Sequence, residues 1–186
     1  MSKIGDIHKA ALKILNEEGL SGAPVSKIAR EAGVAAGTMY VYYKSKDELL
    51  LSLYRSVIDG LDQALNEVME EGLAEKQQFY RLWLAAFKYF FKNPDGFLFM
   101  KQFASSPQGK LAGEENTVKG YGLLADVIER AQGKRLLKKM PVSIAVAMIA
   151  GIIATTVDIQ LSGSLELDGD LLQELLNSSW RMMEKV

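Results

Sequence analysis

The chain of 186 residues lacks the side chains on which several kinds of chemistry depend. It has no cysteine, which excludes disulfide bonds, thiolate metal ligands and cysteine nucleophiles. It has one histidine, so it can build no site from several histidines and has little acid–base machinery. The amino terminus has no apolar secretory segment. We therefore expect a cytoplasmic protein that needs no metal ion and no cofactor.

An excess of charge of one sign is also missing, since 22 Lys and Arg face 23 Asp and Glu. Domains that bind nucleic acid are usually basic, so this balance at first argues against that class. The charges are unevenly placed, however. Residues 1–46 hold seven basic and four acidic side chains, which gives +3, and the remaining 140 residues hold 15 and 19, which gives −4. Such asymmetry is typical of a chain that binds nucleic acid through one end.

One uncharged segment, Met140–Val157, has 18 residues and invites comparison with a membrane span. A spanning helix needs about 20 predominantly apolar residues, usually with an aromatic belt at its ends. This segment is rich in Ala, Ser, Thr and Gly, lacks the belt, and is followed by Asp158. We interpret it as a buried helix and expect no membrane partner.

The apolar residues recur every three or four positions and show no persuasive alternation, which predicts an all-α fold of about nine helices. Ser45 is the expected N-cap of a long helix, and Glu48 completes a capping box. We predict a DNA-binding domain over 1–46 and a larger helical domain for ligand binding and dimerisation over 47–186. The helices are predicted over 3–18, 24–32, 35–43, 45–70, 74–92, 94–105, 108–132, 141–162 and 168–185.

The second and third predicted helices are short and are joined by Gly33, which tolerates the left-handed turn of a helix-turn-helix. Ile28 and Ala29 lie on the inward face of the first of them, and Met39 and Tyr43 on that of the second. The opposite face carries small and hydroxyl-bearing residues. Small residues let a helix approach DNA closely, and hydroxyl groups bond to phosphate oxygens. From this pattern alone, a helical hairpin in any bundle fits as well as a DNA reader.

The string from Ile28 to Leu50, IAREAGVAAGTMYVYYKSKDELL, closely resembles the signature of the tetracycline-repressor (TetR) family. The resemblance implies a dimeric, ligand-responsive transcription repressor that binds a double-stranded DNA operator. Lys46 stands at a helix start, where its ammonium group and the amides suit one phosphate. The residues that match the family's DNA contacts are Ser26, Lys27, Ala36, Gly37, Thr38, Tyr40, Val41, Tyr42 and Lys46.

One departure concerns Pro24, where many members of the family carry a capping and phosphate-contacting Thr. The third helix also has no Arg, Asn or Gln, the side chains that read base edges with paired hydrogen bonds. We expect Lys27 and the tyrosines to supply hydrogen bonds, and Ala36 and Val41 to touch thymine methyl groups. DNA shape would then carry the rest of the specificity.

Ten of the sixteen aromatic residues lie between Phe79 and Phe103, several of them on one helical face. A face of large rings is what a pocket for a flat apolar molecule needs, although an ordinary hydrophobic core has the same pattern. Tyr54 on the long helix is placed to join them. The candidate ligand-binding residues are Tyr54, Trp83, Phe87, Phe91, Phe103 and Asp158.

Asp158 closes the apolar segment, where a buried carboxylate is costly unless it is paired. It suits a structural partner, or else a cationic aromatic effector that gains from both ring faces and carboxylate. Asn93-Pro94 and Thr155-Thr156-x-Asp158 resemble segments of multidrug-sensing members of the family.

The last two predicted helices suit self-association, because one carries small residues at close spacing and the other an apolar stripe. The alternative is packing within the chain. The TetR resemblance implies a dimer interface of four helices, and a two-fold dimer matches a palindromic operator. The candidate interface residues are Ala147, Gly151, Ala154, Leu172, Leu176 and Trp180.

An enzyme is the main alternative class. His8 is isolated, and the pairs Glu70-Glu71 and Glu114-Glu115 are adjacent in sequence, so their carboxylates do not face each other on a helix. No glycine loop that cradles phosphate is present. We therefore expect no enzymatic activity.

A second alternative is a family member that binds protein partners instead of DNA. The presence of Lys27, Thr38, Tyr40 and Lys46 argues against it, because these are the side chains that such a member would be expected to lose.

Overall fold

The structure, a computed structural model, describes residues 3–110 and 120–185. These ranges contain nine helices whose two ends are both described, one further helical turn at 107–110, and no strand beyond a single isolated bridge. The predicted all-α class is confirmed. The helices are α1 (Lys3–Gly22), α2 (Val25–Glu31), α3 (Ala36–Tyr42), α4 (Lys46–Asn66), α5 (Glu75–Lys92), α6 (Pro94–Ala104), α7 (Gly122–Gly133), α8 (Val142–Ser162) and α9 (Gly169–Arg181).

The chain forms two compact units. The first contains the described residues up to Ile58 and those from Asn93 to Lys110, and the second contains Asp59–Lys92 and the described residues from 120 onwards. Helix α4 thus begins in the first unit and ends in the second. The predicted division of roles at residue 46 stays a prediction.

The core of the first unit forms where α1 packs against α2 and α6, and α2 against α3. Ile7, Leu15, Ile28 and Met39 are fully buried there. The predicted stop of the first helix at Gly19 is confirmed, because Gly19 has a non-helical conformation (φ 77°, ψ 164°) and only a short helical turn follows it. That conformation is one that glycine adopts without steric cost.

In the second unit, α5 packs against α7, α8 and α9 and supplies the centre of the core. Phe79 and Trp83 on α5 are fully buried, and Trp180 on α9 sets its ring edge-on to Phe79 with 5.4 Å between centroids. Tyr80 donates a hydrogen bond to Asn177 at 2.7 Å, which also joins α5 to α9.

Four expectations about the helices are wrong in part. The continuous helix predicted from 108 is interrupted at Tyr121, which caps α7 in a non-helical conformation. Helix α4 ends at Asn66 rather than near residue 70, and α9 ends at Arg181 rather than at residue 185. The apolar helix α8 is buried on one face only, since about a third of its most apolar stretch is inside the structure. The pair Glu114-Glu115 and the predicted helix over 111–119 lie outside the described residues.

Candidate DNA-binding surface and effector site

The turn between α2 and α3 is held by the backbone conformation that the sequence predicts. Gly33 has φ 67°, in the left-handed region, and its amide donates to the carbonyl of Arg30 at 3.2 Å. The amide of Val34 then reaches the carbonyl of Ala29 at 2.9 Å. These bonds close α2 and fix the direction in which α3 leaves the turn.

Helix α3 presents one buried and one exposed side. Met39 is fully buried against the core of the first unit, whereas Tyr40 and Val41 are 60% and 81% exposed. A Cβ atom built on Gly37 meets no atom within 4 Å, so this part of the helix backbone is open to an approaching surface. The other predicted contact residues are exposed at Ser26, Ala36 and Tyr42 and partly exposed at Lys27, Thr38 and Lys46.

The two lysines among the predicted DNA contacts also hold the fold. The ammonium group of Lys46 donates to the carbonyl of Ala23 at 2.5 Å and to that of Ser21 at 3.4 Å, and its partial burial lowers its pKa. Lys27 forms an ion pair with Glu18. An ammonium group has three protons, so these bonds leave donors for a phosphate. Lys46 therefore ties the start of α4 to the loop before α2.

The N-terminus of α4 is capped in the predicted way on one side and differently on the other. The hydroxyl of Ser45 accepts the amide of Glu48 at 3.1 Å. The Glu48 carboxylate accepts the amide of Lys44 at 2.6 Å rather than that of the capping residue itself. Both bonds order the segment that joins α3 to α4.

A cluster around His8 joins three segments of the first unit. Its Nε2 atom lies 3.0 Å from the hydroxyl of Tyr43, which follows α3, and 3.3 Å from that of Ser52 on α4. The imidazole is half-buried, and burial lowers its pKa. The single histidine is thus a structural residue beside the third helix, a partnership that sequence spacing does not show.

The six candidate ligand residues are divided between the units. In the first unit, Tyr54 and Phe103 are buried and their ring centroids lie 4.9 Å apart. In the second unit, Trp83, Phe87 and Phe91 form a ladder of stacked rings with successive centroids 6.0 Å apart.

This ladder runs from the interior to the surface, because Trp83 is fully buried and Phe91 is 40% exposed. The indole Nε1 of Trp83 is buried and has no hydrogen-bond partner among the described residues. A buried donor without an acceptor costs free energy. Asp158, also in the second unit, is half-buried on α8.

The candidate interface residues fall into two classes. Ala147 and Gly151 are exposed on α8, and Ala154 and Leu172 are partly exposed. Leu176 and Trp180 are buried, and the Trp180 indole donates to Glu184 at 3.2 Å. Their side chains pack inside their own chain, and an interface role for Leu176 and Trp180 stays a prediction. The exposed apolar residues that sequence spacing missed, Ile144 and Met148, lie on α8.

An exposed third helix on a tight turn, with hydroxyl groups and lysines beside it, defines a DNA-binding transcription regulator of the helix-turn-helix class. Two family models confirm this. Residues 7–53 match "Bacterial regulatory proteins, tetR family", and residues 75–184 match "Tetracyclin repressor-like, C-terminal domain". The second match covers more than half of the chain. The chain belongs to the TetR family and is a transcriptional regulator, not an enzyme.

Individual relatives agree with this assignment. An HTH-type transcriptional regulator of Haemophilus influenzae is 28% identical over an alignment of 189 positions, which covers 96% of this chain and 94% of that one. A tetR family transcription regulator from Shewanella has the same fold, with a TM-score of 0.91, 23% identity and full coverage of both chains. The transcriptional regulator FadR from Bacillus subtilis, in complex with stearoyl-CoA, has a TM-score of 0.76 and 26% identity, with 96% of each chain covered.

Proposed function

We propose that this protein is a ligand-responsive transcriptional repressor that works in the cytoplasm, binds a palindromic operator as a homodimer, and is released by a small apolar effector. The observation that carries the proposal is the exposed side of α3. Tyr40, Val41 and the open backbone at Gly37 stand free of the core, while Met39 anchors the same helix from behind. In a helix-turn-helix this is the side that enters the major groove.

The DNA contacts proposed here are few and mostly non-ionic. Helix α3 has hydroxyl groups at Thr38, Tyr40 and Tyr42 and no cationic side chain. Lys27 and Lys46 border it from α2 and α4. Lysine–phosphate contacts make affinity fall with salt, whereas sequence is read through the small residues, the hydroxyl groups and DNA shape.

A dimer is supported by the exposed apolar side of α8. Ile144 and Met148 are 53% and 43% exposed, and Ala147, Gly151 and Thr155 continue the same side. A helix of this length and apolar composition is also long enough to cross a membrane, but its other face is buried in the second unit. We therefore propose that a second copy of the chain covers the exposed side.

The effector site is proposed around the aromatic ladder of the second unit. Three stacked rings offer apolar surface, and the unpartnered Trp83 Nε1 offers one donor to a ligand acceptor. The stearoyl-CoA bound to Bacillus subtilis FadR favours an effector with a long apolar group. A half-buried Asp158 instead favours a cationic aromatic molecule, and the measurements below separate the two classes.

The proposed switch links effector to operator through the equilibrium between two conformations. An effector shifts this equilibrium only by its difference in affinity for the two states. Helix α4 belongs to both units. We therefore propose that the effector favours one of two conformations of this helix.

The DNA proposal is tested by fluorescence anisotropy with the promoter region next to the protein's own gene. Tyr40→Ala removes an exposed side chain, so we expect normal folding and at least about tenfold weaker binding. Leu98→Ala, at an exposed residue of α6, is the matched control and should bind as the wild type does. Equal affinity of both variants would refute a role for α3 in binding.

The effector proposal is tested by thermal-shift measurements with cationic dyes, fatty acids and stearoyl-CoA. A compound that raises Tm should also release the promoter DNA. Trp83→Phe keeps a ring and removes the indole N–H, so the Tm increase should shrink if Nε1 donates to the effector. A compound that binds tightly yet leaves DNA affinity unchanged would contradict the proposed switch.

A further inference from the structure

A basic groove lies in the second unit, between the loop that follows α7 and the last described residues of the chain. Its volume is about 680 Å³. Four cationic side chains line it, from two segments nearly fifty residues apart in sequence. These are Arg135, Lys138, Lys139 and Lys185, and Glu129 and Gln132 on α7 complete the polar lining.

Main-chain hydrogen bonds hold the two segments together. The amide of Lys138 donates to the carbonyl of Met183 at 2.7 Å, and the amide of Lys185 donates to the carbonyl of Leu136 at 3.1 Å. Between them, Leu137 and Glu184 form an antiparallel bridge, and Leu137 is buried. The backbone of the two segments that carry the cations is therefore fixed before any ligand binds.

The cationic side chains of the groove have no acidic partner among the described residues. All four cationic residues are exposed, and among the described residues none of them takes part in an ion pair. The neighbouring Lys134 differs, because it pairs with Glu75 at 2.5 Å. With Glu129 as the one acidic residue of the lining, the groove carries +3, although the whole chain carries −1.

Arg135 has a backbone conformation that its side chain disfavours. It has φ 60° and is the one non-glycine residue with positive φ in the described part of the chain. It stands where a helix C-terminus usually has glycine: its amide reaches the carbonyl of Gln132 at 3.0 Å, and that of Leu136 reaches Ala131 at 2.9 Å. The chain thus places an arginine at a position where glycine would be more stable.

We propose that the basic groove binds a polyphosphate anion, either inorganic pyrophosphate or the diphosphate group of a nucleotide. A diphosphate carries about three negative charges near neutral pH, because a second phosphate pKa lies near 6. That charge matches the +3 of the lining. Arginine's planar fork bonds two phosphate oxygens at once, and lysines add point charges around them. None of these residues belongs to the proposed DNA or effector contacts, so the inference stands apart from the proposed function.

The test is titration calorimetry of the full chain with sodium pyrophosphate and with ADP, at constant ionic strength. We expect saturable binding with a Kd of about 1 mM or below. Lys138→Gln with Lys139→Gln should weaken it by at least about tenfold. The matched control, Lys88→Gln with Lys92→Gln, removes two exposed lysines of α5 and should bind as the wild type does.

Arg135→Gly separates binding from folding. It should weaken pyrophosphate binding while leaving Tm equal or higher, because glycine accepts the left-handed conformation. Tighter binding of ADP than of pyrophosphate would show that a nucleoside adds contacts, and equal binding that the diphosphate suffices; either supports the proposal.

Three outcomes would overturn the proposal. The first is equal pyrophosphate affinity of the groove variants and the control. The second is that sulfate, at equal ionic strength, displaces bound ADP as strongly as pyrophosphate does. Such a result would indicate attraction of any anion by the net charge of the groove. The third is a loss of promoter-DNA affinity in the groove variants with unchanged pyrophosphate binding, which would make the groove a nucleic-acid contact.

Discussion

Gly37 offers a way to separate the stability of α3 from its function. A glycine inside a helix costs about 0.5–1 kcal/mol relative to alanine, and a Cβ at this position meets no atom within 4 Å. Gly37→Ala should therefore raise the free energy of unfolding. If α3 lies against DNA, the added methyl group should also weaken promoter binding by about tenfold, or 1.4 kcal/mol. Urea denaturation and fluorescence anisotropy measure the two effects.

The control for Gly37→Ala is Gly122→Ala, which also adds a methyl group to a helix in open space. It should keep the affinity for DNA. A Gly37→Ala variant that binds the promoter as tightly as the wild type would show that the helix backbone does not approach the duplex closely.

His8 predicts how stability depends on pH. Burial lowers its pKa in the folded chain, whereas the unfolded chain has the ordinary value near 6.5. Between these two values the unfolded state binds more protons. The stabilisation is therefore complete above pH 6.5 and is lost as pH falls through the folded pKa. We expect the urea midpoint to fall from pH 7 towards pH 5.

The fold lowers the pKa of two carboxyls, which moves their titration away from this window. His8 is the one histidine of the chain, and cysteine is absent. The Glu31 and Glu75 carboxyls, whose pKa values are lowered by hydrogen bonds from Lys13 and Lys134, titrate at lower pH. In the His8→Gln variant, the urea midpoint should therefore change less between pH 5 and pH 7. If the urea midpoint falls equally with pH in the wild type and in the variant, a group other than His8 causes the effect.

At the scale of one element, the cap of α4 is a measurable contribution. Removal of an N-cap hydroxyl costs about 0.5–2 kcal/mol. Ser45→Ala removes the acceptor for the Glu48 amide, so we expect a lower urea midpoint with an unchanged m-value. Ser56→Ala, at an exposed position inside the same helix, should leave the midpoint equal or slightly higher. If the two variants lose the same stability, the cap is not the cause.

Helix ends were predictable wherever a backbone constraint marks them. Gly19 and Gly33 have the left-handed or extended conformations that glycine permits, and Pro94 and Pro141 precede or begin helices as their fixed φ requires. Tyr121 carries no such mark. Its non-helical conformation depends on the tertiary structure around it, so the spacing of apolar residues did not reveal the break.

At the scale of the whole molecule, sequence spacing predicted which residues share a face but not what that face meets. Tyr40 and Val41 were correctly placed on the outside of α3 because Met39 defines its inside. Whether Trp180 packs inside the chain or against a partner was not predictable, because an apolar stripe looks the same in both cases. The basic groove joins residues from distant segments, which spacing does not address.

The exposed side of α8 leads to a prediction about the state of the molecule in solution. Apolar residues exposed along one helix favour association, and a carboxylate buried in such an interface is costly. Met148→Glu should therefore convert a dimer, of twice the 20.5 kDa chain mass, into a monomer in analytical ultracentrifugation. Promoter affinity should fall with it, since two half-sites are read by one dimer. Leu98→Glu, which charges an equally exposed apolar residue of α6, should remain a dimer. A monomeric wild type, or a dimeric Met148→Glu variant, would show that this side of α8 is not the interface.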